Sequence, residues 1–299
     1  MLIIGGGPAG LTAAIYACRA GKKTLLLEKG AFGGQIISTE TIENYPGFPD
    51  GISGFELMLN FQKQAKRFGC EFQNEEVLAI KTAGAIKKVV INEGEIEAKV
   101  IILATGSKPR QLGVIGETKF HGKGVSYCAT CDGFLYRNKK VAVVGGGDSA
   151  VKEALYLANM VQEVVIIHRR DELRADKVLG DKALAAPNIK ICWDTVVDEI
   201  MGDSKIEALK MHNIKTQQTQ EMAVEGVFMY VGNQPNTEFL GTEFEKNPQG
   251  YLVTNEKMET ALPGVFAIGD CRKKLSRQVA TAVGDGALVF SSVEEYLAQ

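Results

Sequence analysis

A strand, a glycine-rich turn, a helix and a second strand occur twice in this chain, in the same register. The first copy runs from Leu2-Ile3-Ile4 into Gly5-Gly6-Gly7-Pro8-Ala9-Gly10. Small and apolar residues at helical spacing follow from Pro8 to Ala20, then a strand from Lys23 to Leu27, closed by Glu28. The second copy runs from Lys140 to Val144, through Gly145-Gly146-Gly147, then Ala150 to Asn159 and Glu163 to Ile167, closed by His168. Glu28 stands 23 positions after Gly5, and His168 stands 23 positions after Gly145. Two chance glycine runs would not share both the flanking pattern and the offset. A strand–turn–helix–strand unit pairs its strands in parallel. The expected fold is therefore α/β, with two Rossmann-like dinucleotide-binding domains.

The two loops differ in chemistry. In the first, Gly5, Gly7 and Gly10 fit GxGxxG around Pro8 and Ala9. Glycines there permit a tight turn and close backbone approach, so a pyrophosphate rests on the helix N-terminus. Glu28 then stands where an acid accepts hydrogen bonds from ribose hydroxyls. In the second, Gly145, Gly147 and Ala150 fit GxGxxA around Asp148 and Ser149, and no acid occupies the matched offset. His168, Arg169 and Arg170 stand there instead, with Arg174 close behind. Guanidinium forks suit a phosphate that an acid would repel, so this site is expected to prefer NADPH over NADH. A third nucleotide signal is the apolar run Val265-Phe266-Ala267-Ile268 ending in Gly269-Asp270. A carboxylate at a strand's end can hold a ribityl hydroxyl, and Arg277-Gln278 follow within reach of a flavin. Read with the N-terminal loop, this favours a flavin. The bland alternatives are a glycine turn that binds nothing, a solvated basic turn and an ordinary Asp turn.

Between the copies, Val100 to Leu103 is an apolar strand that ends in Ala104-Thr105-Gly106. Gly226 to Tyr230 mirrors it before the turn-rich Val231 to Asn236. These are the expected crossings between domains. They make residues 112–232 an insert, with 1–111 and 233–299 closing one domain around it.

Cys128-Ala129-Thr130-Cys131 is the one closely spaced pair among six cysteines, and Asp132 follows it directly. CxxC spacing closes a small ring, so the pair can cycle between dithiol and disulfide. Asp132 adjoins the second sulfur and is suited to carrying a proton when a thiolate leaves. A zinc site would need about four ligands, and there is no second CxxC. His121 is read as a surface or turn residue and His212 as exposed. Cys18 and Cys70 are read as packed thiols. Cys192 and Trp193 are placed in a strand, and Cys271 near the cofactor without assigned chemistry. Isolated cysteines do not make a secreted disulfide framework, so a cytoplasmic protein is expected. Net charge is −2 over 299 residues, which gives no bulk attraction to nucleic acid or membrane. No apolar run is long enough to cross a bilayer, and the opening residues lack a leader's charge and cleavage site.

The chain resembles the bacterial low-molecular-weight thioredoxin reductases over nearly its whole length. The match is carried by Gly5–Gly10, Gly33-Gly34-Gln35, Glu43-Asn44-Tyr45-Pro46-Gly47, Ala104-Thr105-Gly106, Cys128–Asp132, Gly145–Ala150, His168–Ala175, Gly269-Asp270 and Arg277-Gln278. The resemblance implies FAD in the first domain, NADPH in the insert, a homodimer, and thioredoxin or a thioredoxin-like small protein as partner. It implies that Cys131 faces the flavin, Cys128 exchanges with the partner and Asp132 is the acid–base group. It adds Gly34, Gln35, Asn44, Ala104, Thr105 and Gly106 as cofactor positions. The start is a few residues shorter than the family's usual one, so either a frayed first strand or a trimmed start is expected. The combined reading is electron flow from NADPH through FAD to the Cys128–Cys131 pair and on to a protein disulfide. Because dithiol and NADPH share the insert, a rotation about the crossings is expected. The rival readings are a flavin-dependent dithiol oxidase, a ferredoxin-fed relative, and a nucleotide-sensing or zinc-holding protein without catalysis.

Overall fold

The computed structural model describes every residue except Glu40, Glu43 and Gln299. Its described helices are α1 (Pro8–Arg19), α2 (Gly54–Arg67), α3 (Ala129–Asp132), α4 (Asp148–Ala158), α5 (Lys177–Ala185) and α6 (Val279–Leu297). The chain divides into two compact units. One is Met1–Lys108 with Gln234–Gln299, and the other is Pro109–Asn233.

In the first unit, five parallel strands stand in the order Val265–Ala267, Ile101–Leu103, Leu2–Ile4, Leu25–Glu28, Glu71–Asn74. Leu2–Ile4 is central, paired on both sides and almost wholly buried. The expected fraying is therefore absent, because a strand with two ladders and two covered faces has no free edge to open. Ile3, Leu26, Ile102 and Phe266 face one hydrophobic layer, and Leu2, Ile4, Leu27, Ile101 and Leu103 face another. Helix α6 packs on α1, and this needs Gly286. A Cβ there would lie 2.5 Å from the Ala9 carbonyl oxygen.

The second unit repeats the plan. Its strand order is Ile189–Cys192, Glu163–Ile167, Lys140–Val144, Gly226–Met229, Val125–Ser126, again all parallel. Val141, Val143, Val164, Ile166 and Phe228 face one layer, and Ala142, Val144, Ile167, Val227 and Met229 the other. Each unit also carries a three-stranded antiparallel sheet at the same point of its chain path. In the first it is Val77–Lys81, Lys87–Ile91 and Gly94–Ala98. In the second it is Thr195–Gly202, Ile206–Asn213 and Thr219–Ala223. The duplication thus extends well beyond the two glycine loops. It breaks at one edge strand. In the first unit that strand comes from the C-terminal segment, whereas in the second it is Val125–Ser126, which leads straight into Cys128.

Some local expectations change. The second strand begins at Leu25, and α4 begins at Asp148, directly after the glycine loop. Trp193 lies just past the strand that Cys192 closes. His212 is half-buried instead of exposed, because its Nδ1 meets both Asp198 oxygens at 2.8 Å on the neighbouring strand.

Candidate functional site

The first glycine loop is a cradle shaped by what its glycines cannot carry. Gly5 sits at φ 108°, and a Cβ there would fall 2.3 Å from the Ala104 carbonyl oxygen. A Cβ on Gly10 would fall 2.0 Å from the Gly5 oxygen. Gly7 is different, since a Cβ there would meet only Gly34, at 3.9 Å. Gly7 is also the N-cap of α1 with no capping side chain, and Pro8 and Ala9 begin the helix. A helix start left open in this way is where a phosphate completes the hydrogen bonding. Glu28 is fixed at its strand's end, accepting from Gly6 N at 2.8 Å and Gly30 N at 2.9 Å. A carboxylate with both oxygens so oriented keeps lone pairs for ribose hydroxyls.

Around this loop the same unit gathers the remaining predicted positions. Gly269 comes so close to the loop that a Cβ on it would lie 2.9 Å from the Ala9 Cβ. Asp270 follows, half-buried, with its carboxyl pushed above the ordinary range chiefly by desolvation. Asp270 Oδ1, Thr105 Oγ1 and Arg277 Nε are buried without a hydrogen-bond partner. Buried polar atoms are rarely left unpaired, and a hydroxyl-rich dinucleotide would supply these three. Gly106 takes φ 68° in the adjoining turn. The Arg277 guanidinium lies 4.0 Å over the Tyr251 ring. Gln278 caps α6 with a reciprocal capping box, and its Oε1 accepts from Asn44 Nδ2 at 3.2 Å. Two positions marked by resemblance, 234 residues apart, thereby meet. Gln35 lies in the 3-10 helix Gly34–Ser38. Glu43, the neighbour of Asn44 in its motif, lies outside the described residues.

What holds Gly269-Asp270 in place carries no motif of its own. The Asp285 carboxylate, from α6, accepts from Gly269 N, Arg272 Nε and Nη2 and Lys274 Nζ, each at 2.9 Å. Burial pushes its carboxyl up, but the hydrogen bonds of Arg272 and Lys274 outweigh that and hold it below the ordinary carboxylate range.

The second loop lies in the other unit. Gly147 caps α4 without a capping side chain, and the nearest atom to a Cβ on it would be an Arg174 guanidinium nitrogen, 3.9 Å away. Arg174 is brought there by its own N–H, which donates to the Gly146 oxygen at 2.7 Å. His168 occupies the place that Glu28 holds in the first loop. Its ring lies flat enough against Gly146 that a Cβ there would be 2.3 Å from Nδ1. His168 is buried, and burial first, then the nearby arginines, lower its pKa against the opposing Glu172 backbone contact. The ring is neutral at neutral pH, and its Nε2 has no partner. Arg169 and Arg170 are exposed beside it, as are Asp148 and Ser149 at the helix start, while Ala150 is buried under the loop. Asp148 Oδ1 already accepts from Asp176 N at 2.8 Å, so it braces the following loop. An open helix start, three arginines and an orphaned imidazole nitrogen suit a phosphate-bearing dinucleotide.

In the same unit, Cys128 and Cys131 are joined by a disulfide with their Cα atoms 5.3 Å apart. Ser126 is the hub of the surrounding turn, a role its type does not advertise. Its hydroxyl donates to Asp132 Oδ2 at 2.6 Å and accepts from Cys128 N at 3.1 Å. Burial raises the Asp132 carboxyl, against the Ser126 hydrogen bond and the charge of His121. A carboxyl poised above its usual range is a better proton donor near neutral pH. His121 stacks edge-on against Tyr127, with ring centroids 5.5 Å apart, and Tyr127 hydrogen-bonds the buried Glu117 at 2.8 Å. Among the described residues no cluster of three or more His, Cys, Asp or Glu could hold a metal ion. The remaining cysteines are free, and Cys18 and Cys70 lie within hydrogen-bonding reach of one another in the first unit. Burial and that neighbour push the Cys70 thiol up to about 12, which makes it inert as a nucleophile at neutral pH. Cys271 is wholly buried, its thiol turned to the Leu103 and Ile268 carbonyls.

Residues 1–286 match the family model described as pyridine nucleotide-disulphide oxidoreductase. The chain is 43% identical over 297 residues to a thioredoxin reductase of Treponema pallidum, covering 99% of this chain and 96% of that one. It is 43% identical over 301 residues to a thioredoxin reductase of Streptomyces coelicolor, covering 100% and 94%. The crystal structure of thioredoxin reductase from Streptococcus pyogenes superposes with a TM-score of 0.94 at 45% identity, over 99% of this chain and 97% of that one. With two dinucleotide cradles, a CxxC disulfide and full-length similarity of this degree, the chain belongs to the pyridine nucleotide-disulphide oxidoreductase family, among its low-molecular-weight thioredoxin reductases.

Proposed function

We propose that this protein reduces the disulfide of thioredoxin or a thioredoxin-like small protein with electrons from NADPH, by way of FAD and the Cys128–Cys131 pair. The observation that carries this reading is the second unit, where an arginine-rimmed dinucleotide loop and a CxxC disulfide with a buried acid share one compact body. Gly5–Gly10, Glu28, Thr105, Asp270, Arg277 and Gln278 would hold FAD, and Gly145–Ala150, His168, Arg169, Arg170 and Arg174 would hold NADPH. Bound together, these groups supply the two electrons that return the Cys128–Cys131 disulfide to the dithiol, as in this FAD- and NADPH-dependent family.

The chain's own residues do the rest. The Cys128 thiolate attacks the partner's disulfide and forms a mixed disulfide, releasing one partner thiolate. Cys131 then attacks Cys128 Sγ, releases the partner's second thiolate and restores the Cys128–Cys131 bond. Asp132, held by Ser126, gives up and retrieves the proton that this exchange requires. A homodimer and a cytoplasmic location are part of the same proposal. Among the described residues no helix is long and apolar enough to cross a membrane.

The test is anaerobic reduction by NADPH, followed by oxidised thioredoxin. Cys128→Ser and Cys131→Ser should each abolish thioredoxin reduction while NADPH still bleaches the flavin. If either variant reduced thioredoxin at the wild-type rate, the exchange route would be wrong. If, in a parallel assay in air, the wild-type protein consumed NADPH and oxygen while leaving oxidised thioredoxin unreduced, the dithiol-oxidase reading would replace it.

A further inference from the structure

Tyr230 touches both chemical centres of the second unit. It follows the strand Gly226–Met229, and its N–H donates to the Val144 oxygen at 2.8 Å. Its own carbonyl oxygen lies where a Cβ on Gly145 would come within 2.6 Å, so its backbone is pinned to the start of the dinucleotide loop. Its hydroxyl reaches the dithiol turn and accepts from Ala129 N at 2.6 Å. Burial foremost, then the negative field of Glu153, raises the phenol above its ordinary pKa, so it stays neutral.

The amides of the dithiol turn account for why this matters. Cys128 N donates to Ser126 Oγ, while Cys131 N and Asp132 N donate to the Cys128 carbonyl oxygen at 3.2 and 3.1 Å. Ala129 N, the amide next in sequence to Cys128, is taken by the tyrosine. A backbone N–H aimed at a cysteine sulfur stabilises its thiolate. A stabilised thiolate stabilises the reduced pair, which makes the couple a better oxidant and a poorer donor. The charged or titratable groups near the turn include Asp132 on α3, Tyr136 just after it, Glu153 on α4 and His121 from the preceding loop, and the Thr130 hydroxyl lies 3.4 Å from Cys128 Sγ. None of them is a cation fixed against Cys128 that would offset a withheld amide.

We propose that Tyr230 is a positioning residue that withholds the Ala129 amide from the Cys128 thiolate and thereby keeps the Cys128–Cys131 couple strongly reducing. This rests on the disulfide-exchange reading but is measured separately from it. The equilibrium is protein disulfide plus two glutathione thiols giving protein dithiol plus glutathione disulfide. It can be read without any partner protein.

The experiment equilibrates the FAD-loaded full chain with glutathione redox buffers, traps thiols by alkylation, and scores the Cys128–Cys131 peptide by mass spectrometry. In Tyr230→Phe, the dithiol-to-disulfide ratio at a fixed buffer should rise about tenfold, the effect of one hydrogen bond to a charged sulfur. Cys128 should also alkylate at lower pH than in the wild type. Ala129→Pro, which removes the amide itself, should leave the ratio near wild type and cancel the effect of Tyr230→Phe in the double variant. Cys128 has an extended backbone compatible with a following proline (φ −146°, ψ 100°). An unchanged or lowered ratio in Tyr230→Phe would reduce the tyrosine to a structural partner of a buried amide. A ratio that falls in Ala129→Pro alone would show that the amide already serves Cys128, and would overturn the proposal. Loss of thioredoxin reduction with the expected ratios intact would instead count against the partner reading.

Discussion

Asp132 shows how much a residue's neighbours decide. Next to a CxxC it reads as an acid from sequence alone, but the upward shift of its carboxyl comes from burial that only the fold supplies. Its carboxyl is raised in the folded state above its unfolded value, so ionising it costs the fold. The stability it permits is fully present below the unfolded carboxylate pKa and is lost as pH rises through the raised one. Asp132→Asn, compared with wild type in the oxidised state, should therefore gain Tm on going from about pH 4 to about pH 8, on the order of a few degrees. A gap between the two melting curves that stays constant with pH would mean the carboxyl is not shifted. Ser126 was invisible to motif reasoning because serine before a cysteine has no fixed meaning. Its hub position follows from the edge strand Val125–Ser126, which aims its hydroxyl back at the turn.

At the scale of the element, the two strand–loop–helix units carry the same geometry with opposite electrostatics. Glu28 binds the backbone of its own loop through Gly6 N, and His168 packs as a neutral ring on Gly146. The first arrangement suits ribose hydroxyls. The second leaves room for the exposed guanidinium groups of Arg169, Arg170 and Arg174. Each charge-assisted contact is worth roughly 1.5–3 kcal/mol. Arg169→Ala with Arg170→Ala should accordingly weaken NADPH by about a hundredfold or more and NADH by far less. Isothermal titration with both nucleotides decides it, and equal losses would remove the phosphate clamp. The boundaries of these elements were legible to within a few residues because each is fenced by glycines and an abrupt change in hydropathy.

For the whole molecule, chain path sets independence. Residues 109–233 are one continuous segment with hydrophobic layers on both faces of their own sheet. The first unit is assembled from two distant segments, and its edge strand Val265–Ala267 and α6 belong to the second of them. Residues 109–233 expressed alone should melt cooperatively and bind NADP⁺, whereas residues 1–108 alone should stay unfolded. A soluble, folded 1–108 fragment, or a collapsed 109–233 one, would refute this division of labour.

The duplicated βαβ pattern, the glycine offsets and the CxxC sequence determined the fold class, the two cradles and the redox pair, because each is a local signal written in consecutive residues. The contacts that finish the site were decided by tertiary structure. Asp285 reaches Gly269 from a following helix, Asn44 meets Gln278 across most of the chain, and Tyr230, just past the end of a strand, closes on Ala129 from 101 residues away. Nothing in the residue types announces these pairings. A hydrogen bond between distant segments has no sequence period, and it exists only once the sheet has set both partners side by side.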